Sequence, residues 1–193
     1  MSNPRIVFLG ATHFSKELLL HLLENKFSIS AVFSMHRNFT ISYSKEKVKN
    51  YNYADLQQVA EQHNIPYYEV ESDEGKRITD YEDIIKKIEP DIILVMGWFY
   101  MIPAGTRNIA KHGAWGIHAS LLPEYGGGAP LVWAMINGEN KTGVSLFKLD
   151  DGIDDGDIIA QKEIEILPTE TIKEVYGKAI AASKKILVDA IRD

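Results

Sequence analysis

The sequence predicts an α/β protein, a doubly wound and mostly parallel sheet in one domain over residues 1–193. Three observations predict it. The runs Arg5-Ile6-Val7-Phe8-Leu9-Gly10 and Pro90-Asp91-Ile92-Ile93-Leu94-Val95-Met96-Gly97 have strand length and are apolar on both faces, as strands covered by helices on each side must be. Between such runs apolar residues recur at helical spacing, first at Phe14, Leu18, Leu19, Leu22 and Leu23. No Pro/Ser-rich linker and no repeat breaks the alternation.

Taken in order, Ile29-Ser30-Ala31-Val32-Phe33 is a second strand and completes a first βαβ unit. Residues 35–53 lack sustained periodicity and are rich in Asn, Ser, Lys and Tyr, so they read as a long surface loop. Loops of that length are uncommon unless functional or disordered, and Tyr43, Tyr51 and Tyr53 are candidates to stack on a base or sugar. A helix over 55–63, a strand over 65–70 and a short helix over 81–88 precede the strong strand ending at Gly97. Residues 98–103 then form an aromatic and apolar loop at that strand's carboxyl end, where open α/β sheets place ligands. The rest reads as a strand over 114–119, a helix over 131–136, strands over 143–149 and 157–166, and a closing helix from about residue 169.

Composition narrows the function. A formal charge of −6 argues against a partner held mainly through its phosphates, so nucleic acid is not the expected ligand. The densest basic stretch, Lys45-Glu46-Lys47-Val48-Lys49, is interrupted by Glu46 and reads as solvated surface. Zero cysteines remove thiolate metal sites and cysteine nucleophiles, and no metal is implied, since the histidines form no ligand cluster. With no run of about 18 apolar residues and no signal-peptide pattern at Met1, the expectation is a cytoplasmic protein without membrane contact.

The chemistry is concentrated in His118, within Gly116-Ile117-His118-Ala119-Ser120-Leu121-Leu122-Pro123, and in Asp154, thirty-six residues later. One helix-length and one strand-length stretch separate them, which is what a chain needs to leave a sheet and return to the same edge. An imidazole beside a carboxylate moves protons near neutral pH. Gly126-Gly127-Gly128-Ala129-Pro130 puts three glycines before a Pro suited to a helix's first turn, either as a flexible turn or because backbone passes close to a ligand or to His118. Gly10-Ala11-Thr12-His13-Phe14-Ser15 sits where a dinucleotide fingerprint would, but lacks its second and third glycines. His13 reads as a polar residue at a helix start, with substrate contact as the alternative.

The stretch GIHASLLPEYGGGAPLVWAMINGENKTGVSLFKLDDGIDDGDIIAQ, residues 116–161, resembles the catalytic core of the formyltransferases that use 10-formyltetrahydrofolate. Its wording is nearest to the methionyl-tRNA branch; glycinamide ribonucleotide and sugar N-formyltransferases belong to the same family. The resemblance implies a Rossmann-like formyltransferase fold with 10-formyltetrahydrofolate as formyl donor. It makes His118 and Asp154 the catalytic pair. Tyr100, Met101 and Ile102 then pack against the pterin, while Leu149, Asp150, Asp151, Gly152 and Ile153 form the loop whose backbone bonds its edge. His13, Gly127, Gly128 and Pro130 fall to the acceptor side.

Two positions depart from the family pattern. The family's third catalytic residue, an Asn that donates to the oxyanion, is replaced by Gly116, and loss of one such donor elsewhere costs roughly 2.7–4 kcal/mol of barrier. A protonated His118, a backbone N–H or an ordered water is left to take over. Gly126 stands where the tRNA enzymes carry Arg. With no basic surface and no further C-terminal domain expected, the acceptor implied is a small amine, an amino sugar linked to a nucleotide or destined for a glycan. Formylation of an aminoacyl-tRNA or carrier-bound aminoacyl group, and a non-catalytic folate or nucleotide-sugar binding protein, are the alternatives. Oligomeric state is not encoded in these patterns.

Overall fold

The structure, a computed structural model, describes residues 3–39, 46–70 and 77–193. The first apolar run is β1 (Arg5–Gly10), followed by α1 (His13–Glu24), whose Leu18, Leu19 and Leu22 are buried. Thr12 caps α1, its hydroxyl accepting from Ser15 N. Next come β2 (Ser28–Met35), two short strands β3 (Asn38–Phe39) and β4 (Val48–Lys49), α2 (Gln57–Gln62) and β5 (Tyr67–Val70). A 3₁₀ turn (Ile78–Tyr81) leads into α3 (Glu82–Ile88), β6 (Ile92–Met96) and α4 (Ala104–Arg107). The remaining elements are β7 (Ala114–His118), α5 (Pro130–Ile136), β8 (Lys141–Lys148), β9 (Ile158–Glu165) and α6 (Ile172–Arg192). The α/β class and the doubly wound, mostly parallel sheet are those the sequence predicts.

The chain divides into two compact units, Met1–Ala114 and Trp115–Asp193. In the first, strands run β5-β2-β1-β6 and every pairing is parallel. The order turns back between β1 and β6, and such a switch point opens a crevice at the carboxyl ends of the strands. Gly10 and Gly97 make that end tight. A Cβ on Gly10 would lie 2.8 Å from Met96 O, and one on Gly97, whose φ is +62°, would run into Thr12 Oγ1.

In the second unit β7, β8 and β9 are antiparallel, an arrangement that apolar periodicity does not announce. α6 packs on β8 and β9 with Val175, Ala179, Ala182 and Ile186 as its buried stripe. It begins at Ile172, three residues beyond the predicted start near 169, because Thr171 is the cap, its N–H donating to Glu174 Oε2 at 2.7 Å.

Residues 35–53 correct the sequence reading. The described part of this segment, 35–39 and 46–53, is not a plain surface loop: β3 and β4 pair as an antiparallel ladder, and Met35, Phe39 and Asn50 are buried. The segment is sewn to the β1–α1 turn by Asn50 Nδ2 donating to Ala11 O (3.0 Å), His13 N donating to Asn52 O (2.8 Å) and a bridge between Thr12 and Tyr53. Phe39 anchors it among Ala11, Met35, Trp98 and Tyr100. Of the three tyrosines, Tyr51 is exposed beneath the Lys49 ammonium, Tyr53 is half-buried, and Tyr43 lies outside the described residues. Lys45 lies outside them too, while Val48 and Lys49 belong to β4. Among the described residues no helix is long and apolar enough to cross a membrane.

Candidate active site

His118 is the last residue of β7, two residues after Gly116 and therefore on the same strand face. The chain then makes a turn that β8 and β9 hold in place. Leu121 lies against Gly143, where a Cβ would come within 2.6 Å of Leu121 Cγ. Ser145 Oγ donates to Ser120 O (2.7 Å) and accepts from Leu122 N (3.0 Å), and Ser120 Oγ donates to Glu124 O (2.6 Å). Gln161 Nε2 reaches across from β9 to Leu122 O (2.9 Å) and Ser145 Oγ (2.8 Å). Ser120 and Ser145 are fully buried, so their bonds count most toward fixing the turn, while Gln161 reaches in from an exposed strand position.

Asp154 stands in the β8–β9 loop. The base of the loop is closed by Lys148 N donating to Asp157 O (2.9 Å), and by Gly156, where any Cβ would collide with Lys148 O. Asp154 has φ 55°, a left-handed value that Asp tolerates better than most residues. Its Oδ2 accepts from Gly127 N at 2.9 Å and lies 3.4 Å from His118 Nδ1. The latter is an ion-pair distance, longer than a tight hydrogen bond.

On its other side the ring meets a carbonyl, with His118 Nε2 2.8 Å from Tyr125 O. A carbonyl only accepts, so the tautomer that fits carries its proton on Nε2. Nδ1 faces the Asp154 carboxylate, so each ring nitrogen has an acceptor opposite it. The two side chains are 11% and 19% exposed, so the pair is largely desolvated while still open to a reactant.

Gly116 is not an empty notch. A Cβ there would lie 2.9 Å from Leu149 Cδ2 and 3.4 Å from the Phe147 ring. The apolar side chains of Leu149 and Phe147 thus line the place that a side chain at position 116 would take. Of the glycine run, Gly127 (φ 94°) has the conformation that requires glycine, and its N–H serves Asp154. A Cβ at Gly128 would meet open space and one at Gly126 would make ordinary contacts, Pro123 O at 3.8 Å and Leu122 Cδ2 at 4.0 Å, so close approach does not explain those two. Pro130 opens α5 at its first turn, as predicted.

The other sequence candidates have simple positions. Leu149 is half-buried over Gly116, Asp150 and Asp151 are exposed, Gly152 packs on Asp155, and Ile153 is exposed. In the first unit, Tyr100 packs edge-on to Phe39 and Trp98, Met101 is exposed, and Ile102 is buried with its carbonyl accepting from Arg107 Nη1. Trp98 Nε1 is a buried donor without a partner there. His13 is exposed, with its main-chain N–H already committed to Asn52 O. Burial first, then Glu69, raises the Tyr67 phenol well above its usual value; burial followed by Asp55 and Glu69 raises Tyr53. Among the described residues no three His, Asp or Glu side chains gather as a metal ion would require. Ser120, Ser145 and Gln161 were not foreseen, because only strand register brings them to the turn.

Comparison with known proteins matches residues 4–191 to the family model described as formyl transferase. The chain is 30% identical over 185 residues to a methionyl-tRNA formyltransferase of Thermotoga maritima, covering 96% of this chain and 56% of that protein. It is 33% identical over 188 residues to one of Clostridium perfringens, with 97% and 58% covered. It thus spans little more than half the length of these curated relatives. Among solved structures, a phosphoribosylglycinamide formyltransferase from Streptococcus pneumoniae superposes with a TM-score of 0.78 at 19% identity, over 98% of this chain and 97% of that one. A formyltetrahydrofolate deformylase from Pseudomonas syringae gives 0.79 at 21% identity, over 99% and 61%. At these identities the two superpositions establish the fold.

Proposed function

The chain belongs to the formyl transferase family, and from that premise we propose that it transfers a formyl group from 10-formyltetrahydrofolate to the amine of a small acceptor. One observation carries the reading: a largely desolvated imidazole held between a carboxylate and a carbonyl, with acceptors on both nitrogens. The donor is suited to the first unit's aromatic segment, where Trp98 and Tyr100 pack beside Phe39. Bound 10-formyltetrahydrofolate supplies the electrophilic formyl carbon.

The acceptor amine attacks as the neutral species. As the new C–N bond forms, His118 donates toward the negative charge developing on the carbonyl oxygen and passes a proton to folate N10 while the bond from N10 to the formyl carbon breaks; the ring then takes the proton that the attached amine sheds. Asp154 holds the ring through Nδ1 and balances its charge, and Gly127 N–H holds Asp154. The acceptor is an amino sugar linked to a nucleotide. The net charge of −6 and the absence of a cation at Gly126 support this over a polyanionic macromolecule. A second reading, an aminoacyl-tRNA acceptor, is favoured by the identity of 30–33% to methionyl-tRNA formyltransferases.

Incubation with 10-formyltetrahydrofolate and a panel of nucleotide-linked amino sugars, phosphoribosylglycinamide and methionyl-tRNA, read by mass spectrometry, separates the readings. Formylation of an amino sugar is the expected result. Transfer to methionyl-tRNA with steep salt dependence moves the function to the second reading, and folate binding with no transfer to any amine overturns both.

A further inference from the structure

We propose that Gln161, acting through Ser145, is a positioning residue for His118; the inference rests on the formyl transfer assigned above to that histidine. The three residues form one rung across the sheet. His118 on β7 pairs in register with Ser145 on β8, and Ser145 pairs with Gln161 on β9, so all three side chains rise from the same face. Their hydrogen bonds are complete. Ser145 has one proton and two lone pairs; the proton goes to Ser120 O, and the lone pairs take Leu122 N–H and Gln161 Nε2–H. Gln161 uses its two amide protons on Leu122 O and Ser145 Oγ.

The effect falls on the segment between His118 and its carbonyl partner. Residues 119–125 carry no regular secondary structure, yet Ser120 and Leu122 are held at three backbone atoms by this rung, and Ser120 Oγ holds Glu124 O in turn. The next carbonyl, that of Tyr125, receives His118 Nε2. Tyr125 itself has φ 54°, a backbone value that needs fixing from outside. Without the rung the turn loses three backbone anchors ahead of the Tyr125 carbonyl, which is then held only through the bonds of the Tyr125 phenol to Glu139 and Asn137 and the main chain around it, and the anchor on His118 Nε2 loosens. Ångström-scale misplacement of a proton-transfer group is enough to cost a large factor in rate.

The test compares the full chain with Gln161→Glu, which keeps the shape and loses both donors, and with Ser145→Ala, which removes the central hydroxyl. Two quantities are read: the ¹⁵N-imidazole resonances of His118, assigned by their loss in His118→Ala, and steady-state kinetics with whichever amine of the panel is formylated. In both variants the Nε2–H signal should shift and lose exchange protection, and kcat should fall roughly ten- to a hundredfold with KM for the formyl donor within about threefold. A lowered melting temperature with unchanged His118 resonances and unchanged kcat would make the rung merely structural and overturn the inference. Should the wild-type chain formylate nothing while the resonances still shift in the variants, positioning stands and the assigned reaction falls.

Discussion

After β1 the chain turns into α1 with its main-chain donors turned inward: Ala11 N and Thr12 N go to Ser15 Oγ, at 3.1 and 3.0 Å, and His13 N goes to Asn52 O. Ser15 Oγ in turn donates to Met96 O on the neighbouring strand. After β7 the chain turns toward α5 and offers its polar groups to reactive side chains instead. Tyr125 O takes His118 Nε2 and Gly127 N goes to Asp154 Oδ2. Both turns follow a strand, both contain glycine, and both lie where α/β folds place ligands. The difference lies in what their backbone groups bond. A turn whose N–H groups are consumed by its own scaffold has no anion-binding donors left to give, whereas one that bonds an imidazole and a carboxylate controls their orientation and charge.

The largest effect is expected in the second turn. His118→Ala and Asp154→Asn should each lower turnover at least about a hundredfold, about 2.7 kcal/mol of barrier. Asn tolerates the left-handed backbone at position 154 and can still accept from Gly127 N, so that variant removes the anion with little else disturbed. Near-normal steady-state rates in either variant, with folding verified by thermal unfolding, would erase the distinction between a scaffold turn and a working one. The first turn is probed by stability. Gly97→Ala places a Cβ at φ +62° and against Thr12 Oγ1, and should cost about 2 kcal/mol in urea unfolding. An unchanged midpoint would mean that the junction of β1 and β6 is looser than its glycines require.

How much of this was legible beforehand follows from which forces are local. β1 and β6 are apolar on both faces and α1 has a clean stripe, so burial announced them through period alone. His118 and Asp154 were legible because their residue types are unusual partners at that spacing. Strand direction was not, since an apolar alternation over β8 is the same read either way. The β3–β4 ladder has two residues per strand, below any period, and only Phe39 marks it as inward-facing. Ser145 and Gln161 look like ordinary strand residues until register sets them on the rung of His118. The filling of the Gly116 notch by Leu149 and Phe147 is likewise a fact of packing between strands thirty residues apart.

That filled notch gives a smaller test on the same side of the comparison. Gly116→Asn introduces an amide donor beside the imidazole, but its Cβ starts 2.9 Å from Leu149 Cδ2, so the variant should lose about 1–2 kcal/mol of stability with no gain in kcat. Trimming the obstacle in Gly116→Asn/Leu149→Ala should recover turnover beyond the single variant, measured as a double-mutant cycle. Additive losses across the cycle would show that Leu149 does not occupy the donor's place.

The smallest effect is expected at His13. Its main-chain N–H is bonded to Asn52 O and its side chain is exposed at the first position of α1, so His13→Ala keeps the backbone donor and removes a ring that the scaffold does not use. Alanine is also the better helix former, so no stability penalty accompanies the change. The expected change in kcat/KM for the formylated amine is less than about threefold, or about 0.6 kcal/mol of barrier. A tenfold loss carried in KM for that amine would place the imidazole against the acceptor. The turn after β1 would then have a working side chain on an otherwise closed backbone, and the contrast between the two turns would hold for their main chains alone.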